Sequence, residues 1–272
     1  MQLVHHAALV TGSSQGIGHA IALAIHAAGA KVVFHGKEAT APVLPDGCAY
    51  LAADLLEPDS AQRLVQAAFA VQPDLNLLVC NAGGFFDVPF LEVTPEVLAR
   101  TLDLNVRANF FLAQAFAREL VTRQRPGAIL TTTSTNGFQP EDDSSAYDTS
   151  KGALVMLTRT LAQALAPHGI RVNSIAPGLI RTPLTRGMLT AERTRHYEKK
   201  ILLGRIGEPE DCAGAAGRRS PGDNVGDLQN DGELEPHRDR EGDAEEQRLL
   251  AARQRSRALA GRLAGEIGRA HV

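Results

Sequence analysis

The sequence has few of the features that mark secreted, membrane or metal-binding proteins. Its 272 residues include only three cysteines, which lie far apart and form no CxxC pair, so neither a disulfide scaffold nor a zinc site is expected. The first residues, MQLVHHAALVTG, lack a basic leader followed by a long apolar stretch, and no apolar run is long enough to cross a bilayer. We therefore expect a cytoplasmic protein without a metal and without a membrane partner.

Charge excludes another class of partner. The net charge is −3, and acidic and basic residues are interspersed over most of the chain. No basic face is therefore available for nucleic acid. The composition favours a soluble protein that acts on a small molecule.

Short apolar runs alternate along the chain with segments of helical period. The runs are ALV (8–10), KVVF (31–34), AYLAA (49–53), LNLLVC (75–80), GAILTT (127–132) and RVNSIA (171–176). The helical segments are Ile17 to Ala28, Ser60 to Val71, Pro95 to Leu120 and Ala146 to Ala166. Continuous apolar strands separated by helices predict a parallel sheet covered on both faces. We expect one doubly wound α/β domain of Rossmann type over residues 1–213.

A glycine-rich turn follows the first predicted strand. In ALVTGSSQGIGHAIA (8–22), Gly12, Gly16 and Gly18 have the spacing GxxxGxG. Glycines allow left-handed backbone and close approach of a pyrophosphate, and the helix that follows directs amides at an anion. A plain turn is the alternative, but the position after the first strand favours a dinucleotide site. Its residues would be Gly12, Ser14, Gln15, Gly16, Ile17 and Gly18.

The end of the second strand bears on the choice of dinucleotide. An acid there suits the ribose 2′-hydroxyl of NAD, and a basic group suits the 2′-phosphate of NADP. KVVFHGK ends with His35 and Lys37, two potential cations, and has no carboxylate. This predicts NADP in preference to NAD. Glu38 keeps NAD open, and both basic residues could simply lie in a solvated loop.

Tyr147 and Lys151 are four residues apart in SSAYDTSKGAL, so a helix brings both to one face. A tyrosine with a pKa of roughly 10 needs about 4 kcal/mol to ionise near neutrality, which one ammonium at about 4 Å supplies at an effective dielectric constant of about 20. Ser134 ends the strand before this helix and could hydrogen-bond a carbonyl oxygen. Asn105 could bind a water that relays protons to Lys151. The alternative is an exposed pair on a helix.

Taken in order, TGSSQGIG, CNAGG, Asn105, Ser134, YDTSK and IAPGLIRT resemble the motifs of the short-chain dehydrogenase/reductase family, over roughly residues 5 to 213. The resemblance implies an NAD(P)-dependent oxidoreductase in which Tyr147 is the general acid/base and Lys151 also holds the nicotinamide ribose. Ser134 would orient the substrate, and Asn105 would belong to the proton relay.

The same resemblance extends the cofactor site. Asp54 would meet the adenine; further contacts would come from Asn81, Ala82, Gly83, Pro177, Gly178 and Thr182. Each has a simpler explanation as a helix cap, a turn residue or a loop hydroxyl. The family also implies a homo-oligomer, such as a homotetramer.

Three loops beyond the strand ends, 83–90, 135–145 and 179–203, are expected to select the substrate. They offer apolar and polar groups: Phe85, Phe86, Phe90, Phe138, Leu184, Met188, Gln139, Glu141 and Asp142. The mixture indicates a polar ketone or secondary alcohol, and the charged segment 190–200 suggests a mobile lid. A rival function is a catalytically idle NADP-binding sensor or partner-binding protein.

The last part of the chain departs from the family. After about residue 213 the sequence has no further Phe, Tyr, Trp or Lys, and GRRSPG (217–222) stands where relatives continue with an apolar segment and a seventh strand. Encoded as GGC CGC CGT TCT CCT GGC, this stretch becomes Ala-Ala-Val-Leu-Leu-Ala after a one-base shift. The hypothesis is a frameshift near residues 213 to 217. It would leave residues 214–272 as an atypical, partly disordered or helical tail and would remove the seventh strand. The resulting protein would be impaired in activity and in assembly. The alternative is a natural divergent tail with a helix at 244–264.

Overall fold

The computed structural model describes residues 3–216, and these form the predicted α/β fold. Six strands make one parallel sheet: β1 (Ala7–Val10), β2 (Lys31–Gly36), β3 (Ala49–Ala52), β4 (Leu77–Cys80), β5 (Gly127–Thr132) and β6 (Ile170–Ile175). Their order in the sheet is β3-β2-β1-β4-β5-β6. The direction of winding therefore reverses between β1 and β4, where a crevice opens at the carboxyl ends of the strands.

Helices cover both faces of the sheet. They are α1 (Gly16–Ala27), α2 (Ser60–Val71), α3 (Pro95–Leu102), α4 (Ala108–Thr122), α5 (Ser145–Leu165), α6 (Ala191–Lys200) and α7 (Pro209–Ala216). One core cluster joins the sheet to α2 and α4 around Leu64, Leu112 and Phe116. The other joins it to α1 around Ile21 and also contains Ala213 of α7. Each face of the sheet is thus closed by apolar packing, as the continuous apolar strands require.

The predicted helix from Pro95 to Leu120 is wrong in one respect: it is not continuous. Residues 103–107 form a π-helical turn between α3 and α4. Such a turn holds an extra residue and is frequent at functional sites. Here it contains Asn105, whose side chain is fully buried. A helical sequence pattern does not reveal the extra residue. The buried Asn105 side chain hydrogen-bonds the backbone of Gly84, which is remote in sequence.

The other predicted boundaries lie within two residues of the observed ones. The charged segment 190–200 contains α6, which has no buried residue. No helix within residues 3–216 combines the length and hydrophobicity needed to span a bilayer. The predictions made for the tail fall outside the described residues. They are the change of reading frame, the missing seventh strand and the helix at 244–264. Of residues 214–272, the structure describes only 214–216, which end α7.

Candidate active site

A cleft opens at the carboxyl ends of the strands and collects most of the residues that the sequence singles out. Its lining includes Gly12, Ser14, Gln15, Gly16, Ile17, His35, Lys37, Asp54, Asn81, Ala82, Gly83, Ser134, Tyr147, Lys151, Pro177, Gly178 and Thr182. Gly18 and Asn105 are not among the lining residues; both are buried behind it. The doubly wound topology thus brings segments separated by more than a hundred residues to one site.

The glycine turn is tied to the loop after β4. Gly12 has φ +63°, and a Cβ there would lie 2.9 Å from Ala82 Cα. The Asn81 side chain donates hydrogen bonds to the carbonyl oxygens of Thr11 (3.1 Å) and Gly12 (3.2 Å). A Cβ on Gly18 would collide with the Asn81 amide and the Gly12 carbonyl. Asn81 and Gly18 therefore shape the turn that can receive a pyrophosphate.

His35 does not serve as the cation that the sequence suggests. It is 2% exposed; its Nδ1 accepts a hydrogen bond from Gly12 N (3.1 Å), and its Nε2 lies 3.1 Å from the carbonyl oxygen of Ala53. The first contact requires an unprotonated Nδ1, which makes Nε2 the donor to Ala53. Burial lowers the pKa of His35 to about 4, against a smaller opposite effect of the Ala53 contact. The expectation of two cations is corrected: His35 is a neutral link between the glycine turn and the end of β3.

Lys37 and Asp54 form an ion pair in the lining of the cleft. Lys37 Nζ lies 3.0 Å from an Asp54 carboxylate oxygen, and the lysine side chain is 65% exposed. Asp54 also accepts a hydrogen bond from Leu56 N (3.0 Å). This backbone hydrogen bond is the largest cause of a lowered pKa of the Asp54 carboxyl, and Lys37 lowers that pKa further. Lys37 is therefore a cation beside the cleft, with an acidic partner that a phosphate would have to compete with.

Tyr147 and Lys151 lie on the first turns of α5, but their electrostatics differ from the sequence-based expectation. Lys151 is buried, donates from Nζ to the Thr132 carbonyl oxygen (3.0 Å) and lies 5.4 Å from the centre of the Tyr147 ring. Burial lowers the pKa of Lys151 to about 8. The pKa of Tyr147 is raised, chiefly by burial, and the nearby Ser134 hydroxyl only partly offsets this. The expected lowering of the Tyr147 pKa is not seen, because burial of the phenol dominates.

Ser134 and Asn105 occupy different surroundings. Ser134 is 6% exposed at the end of β5 and caps a single turn of 3-10 helix that follows it. Asn105 accepts from Gly84 N (2.8 Å) and donates to the Gly84 carbonyl oxygen and to Ser150 Oγ, both at 3.0 Å. Its side chain thus anchors the loop after β4 with both amide protons committed. The participation of Asn105 in a proton relay stays a prediction.

Aromatic residues close part of the cleft. Phe86 and Leu184 line it, and Phe85 packs edge-on against Tyr147 with ring centres 5.2 Å apart. Phe90 and Phe138 are 73% and 64% exposed and are not among the lining residues. The predicted polar groups Gln139, Glu141 and Asp142 are also exposed on the loop before α5.

Arg100 of α3 lines the cleft with its guanidinium 4.2 Å from the Phe86 ring centre. The sequence offered no signal for it beyond a basic residue on an amphipathic helix. Within residues 3–216, no group of three or more His, Cys, Asp or Glu residues could hold a metal ion.

Comparisons with known proteins identify relatives with similar sequences and similar structures. A family model described as enoyl-(acyl carrier protein) reductase matches residues 12–217. Human dehydrogenase/reductase SDR family member 4 is 36% identical over 223 residues, covering 78% of this chain and 80% of the relative. Bovine L-xylulose reductase is 35% identical over 212 residues, covering 77% and 86%. A solved structure of a putative NAD(P)-dependent gluconate 5-dehydrogenase from Beutenbergia cavernae, with bound NADP at low occupancy, is 30% identical with a TM-score of 0.72, covering 79% and 89%.

Proposed function

Because the chain belongs to the short-chain dehydrogenase/reductase family, we propose that it is an NADP(H)-dependent oxidoreductase that reduces a polar ketone to a secondary alcohol. The observation that carries this proposal is the convergence of Ser134, Tyr147 and Lys151 on the cleft that also contains the glycine turn. A catalytically idle cofactor sensor would have no need for this convergence.

The proposed reaction moves a hydride to the carbonyl carbon and a proton to the carbonyl oxygen. The nicotinamide ring, when bound, supplies the hydride from C4. Tyr147 donates the proton from its phenol to the oxygen as the C=O π bond breaks, and Ser134 hydrogen-bonds the same oxygen and stabilises its developing charge. Lys151, whose pKa of about 8 keeps it largely protonated at neutral pH, would hold the ribose of the bound cofactor and would return a proton to Tyr147, taking one up from water in turn.

The pKa of Tyr147 favours reduction at neutral pH. Burial raises the pKa of this phenol above its ordinary value of 10, so the side chain carries the proton that reduction requires. Oxidation of the alcohol would instead require the phenolate. We therefore expect reduction to be the faster direction near pH 7 and oxidation to gain as pH rises.

NADP(H) is favoured because Lys37 is a cation at the end of β2, which carries no carboxylate at its end. The neutral state of His35 leaves the argument resting on Lys37. The bound NADP in the similar solved structure supports this choice. The names of two relatives support the substrate class: one is named for a pentulose and the other for gluconate. Both compounds carry several hydroxyl groups beside the reacting carbon. A polyhydroxylated ketone is the proposed substrate class.

The test follows absorbance of NADPH and of NADH with a panel of ketones that spans sugars, polyols and acyl ketones. Wild-type protein should oxidise NADPH with at least one polyhydroxylated ketone, and Tyr147→Phe should reduce kcat by at least about a hundredfold while it still binds NADPH. Ser145→Ala on the same helix serves as a control, since Ser145 is not among the cleft-lining residues. Full turnover by Tyr147→Phe would refute the assigned roles.

A further inference from the structure

A chain of hydrogen bonds runs from the first turns of α5 to Ser134. Asn136 Nδ2 donates to Asp148 Oδ1 at 2.7 Å. Ser134 Oγ donates to Asn136 Oδ1 at 3.2 Å, and Asn136 N donates to Ser134 Oγ at 3.1 Å. Asn136 therefore contacts both the proton and a lone pair of the Ser134 hydroxyl.

The Asp148 carboxylate is itself held on two sides. Ser144 Oγ donates to Oδ1 at 2.9 Å, and Glu141 N donates to Oδ2 at 3.0 Å. An ionised carboxylate only accepts hydrogen bonds, so Asn136 must turn its NH₂ group toward Asp148. Its carbonyl oxygen must then face Ser134. The charge on Asp148 thus fixes the orientation of the Asn136 amide.

This arrangement determines where the one proton of Ser134 points. The Asn136 N–H occupies one lone pair of the hydroxyl, and Asn136 Oδ1 accepts its proton. Asn136 therefore fixes the rotation of the Ser134 hydroxyl about its C–O bond. Asp148 directly follows Tyr147 in α5, so one turn of helix carries both the proton donor and the anchor of this orientation.

We propose that Asn136 and Asp148 are positioning residues that set the direction of the Ser134 hydroxyl relative to Tyr147. The inference rests on the proposed function, because it concerns the hydrogen bond from Ser134 to the reacting carbonyl. Loss of an oxyanion donor costs about 10²–10³ in kcat. Loss of its orientation alone should cost less, about tenfold.

The test measures single-turnover reduction with enzyme in excess, which makes slow variants measurable. Asn136→Leu, of similar size but without hydrogen-bonding groups, should lower the single-turnover rate constant about tenfold with little change in the enzyme concentration that gives half the maximal rate. In a Ser134→Ala background the same substitution should change the rate by less than about twofold, because no hydroxyl is left to orient. An equal loss in both backgrounds, or no loss in either, would overturn the proposal.

A second variant guards against misfolding of the first. Asp148→Asn keeps the shape but removes the charge that fixes the Asn136 amide, and it should also lower the rate about tenfold. Asp87→Asn is its matched control. Asp87 accepts from Tyr147 N at 2.8 Å, and its charge, like that of Asp148, raises the pKa of Tyr147, but Asn136 is not among its hydrogen-bond partners. An equal loss in both Asp variants would assign the effect to charge and contradict the proposal.

These outcomes separate the inference from the proposed function. A wild-type rate for Asn136→Leu and Asp148→Asn, with Ser134→Ala strongly impaired, would overturn the positioning role alone. A wild-type rate for Ser134→Ala would overturn the role of Ser134 in the proposed function, and the positioning role with it. NADPH affinity and the denaturant midpoint, measured for every variant, show whether the fold is intact.

Discussion

Acidification should destabilise the protein through His35. In the folded chain Nδ1 accepts a hydrogen bond from Gly12, and the ring is 2% exposed. Protonation would place a second N–H against the Gly12 N–H and a charge in a site closed to water. The folded state therefore resists a proton that the unfolded chain accepts readily.

The size of the effect follows from the two pKa values. Burial lowers the pKa of His35 from 6.5 to about 4 in the folded chain. The unfolded chain thus takes up a proton first as pH falls, and the free energy of unfolding decreases by about 1.4 kcal/mol per pH unit between those values. The contribution of His35 to the free energy of unfolding does not change with pH above pH 6.5, and it levels off again below about pH 4. The total loss is about 3 kcal/mol, a large share of a typical stability of about 5–15 kcal/mol.

Urea unfolding at intervals between pH 4 and 7 provides the measurement, with wild type compared with His35→Gln. Glutamine can accept from Gly12 and donate to Ala53 but does not titrate. As pH falls through this range, the free energy of unfolding of wild type should fall by about 3 kcal/mol more than that of His35→Gln. His168→Gln, at an exposed histidine, controls for loss of an imidazole. Parallel pH curves for wild type and His35→Gln would refute the reasoning.

Four further predictions concern the cofactor site and the tail. Lys37→Ala should raise the dissociation constant for NADPH about tenfold and that for NADH by less than about twofold, measured by cofactor fluorescence; equal changes would contradict the 2′-phosphate role. Gly18→Ala should lower the free energy of unfolding, measured by urea titration, by about 1–3 kcal/mol. Gly187→Ala is the control, because a Cβ added there meets nothing within 4 Å. It should change the same free energy by less than about 0.5 kcal/mol. Because the Lys151 pKa is lowered to about 8, kcat/KM for NADPH should fall as pH rises through that value; a flat profile would argue against a required ammonium. Sequencing of the source DNA across codons 213 to 217 should reveal the shifted base, near the residue 217 where the family match ends; the frame as printed would contradict the frameshift.

Local sequence patterns determined the strands, most helices and the position of the cleft. Apolar runs such as GAILTT follow from burial on both faces of a sheet. The spacing of Gly12, Gly16 and Gly18 follows from the backbone of a tight turn, and the four-residue spacing of Tyr147 and Lys151 follows from the helix period. These features depend on neighbours in sequence, so they are visible without the tertiary structure.

The tertiary structure alone decided the chemical state of several site residues. His35 is a neutral link rather than a cation because Gly12 and Ala53 surround it, and the pKa of Tyr147 is raised because burial dominates. The π turn at Asn105 depends on Gly84. Spacing determines which residues can meet, but a pKa and a hydrogen-bond orientation depend on desolvation and on partners that only the folded chain brings together.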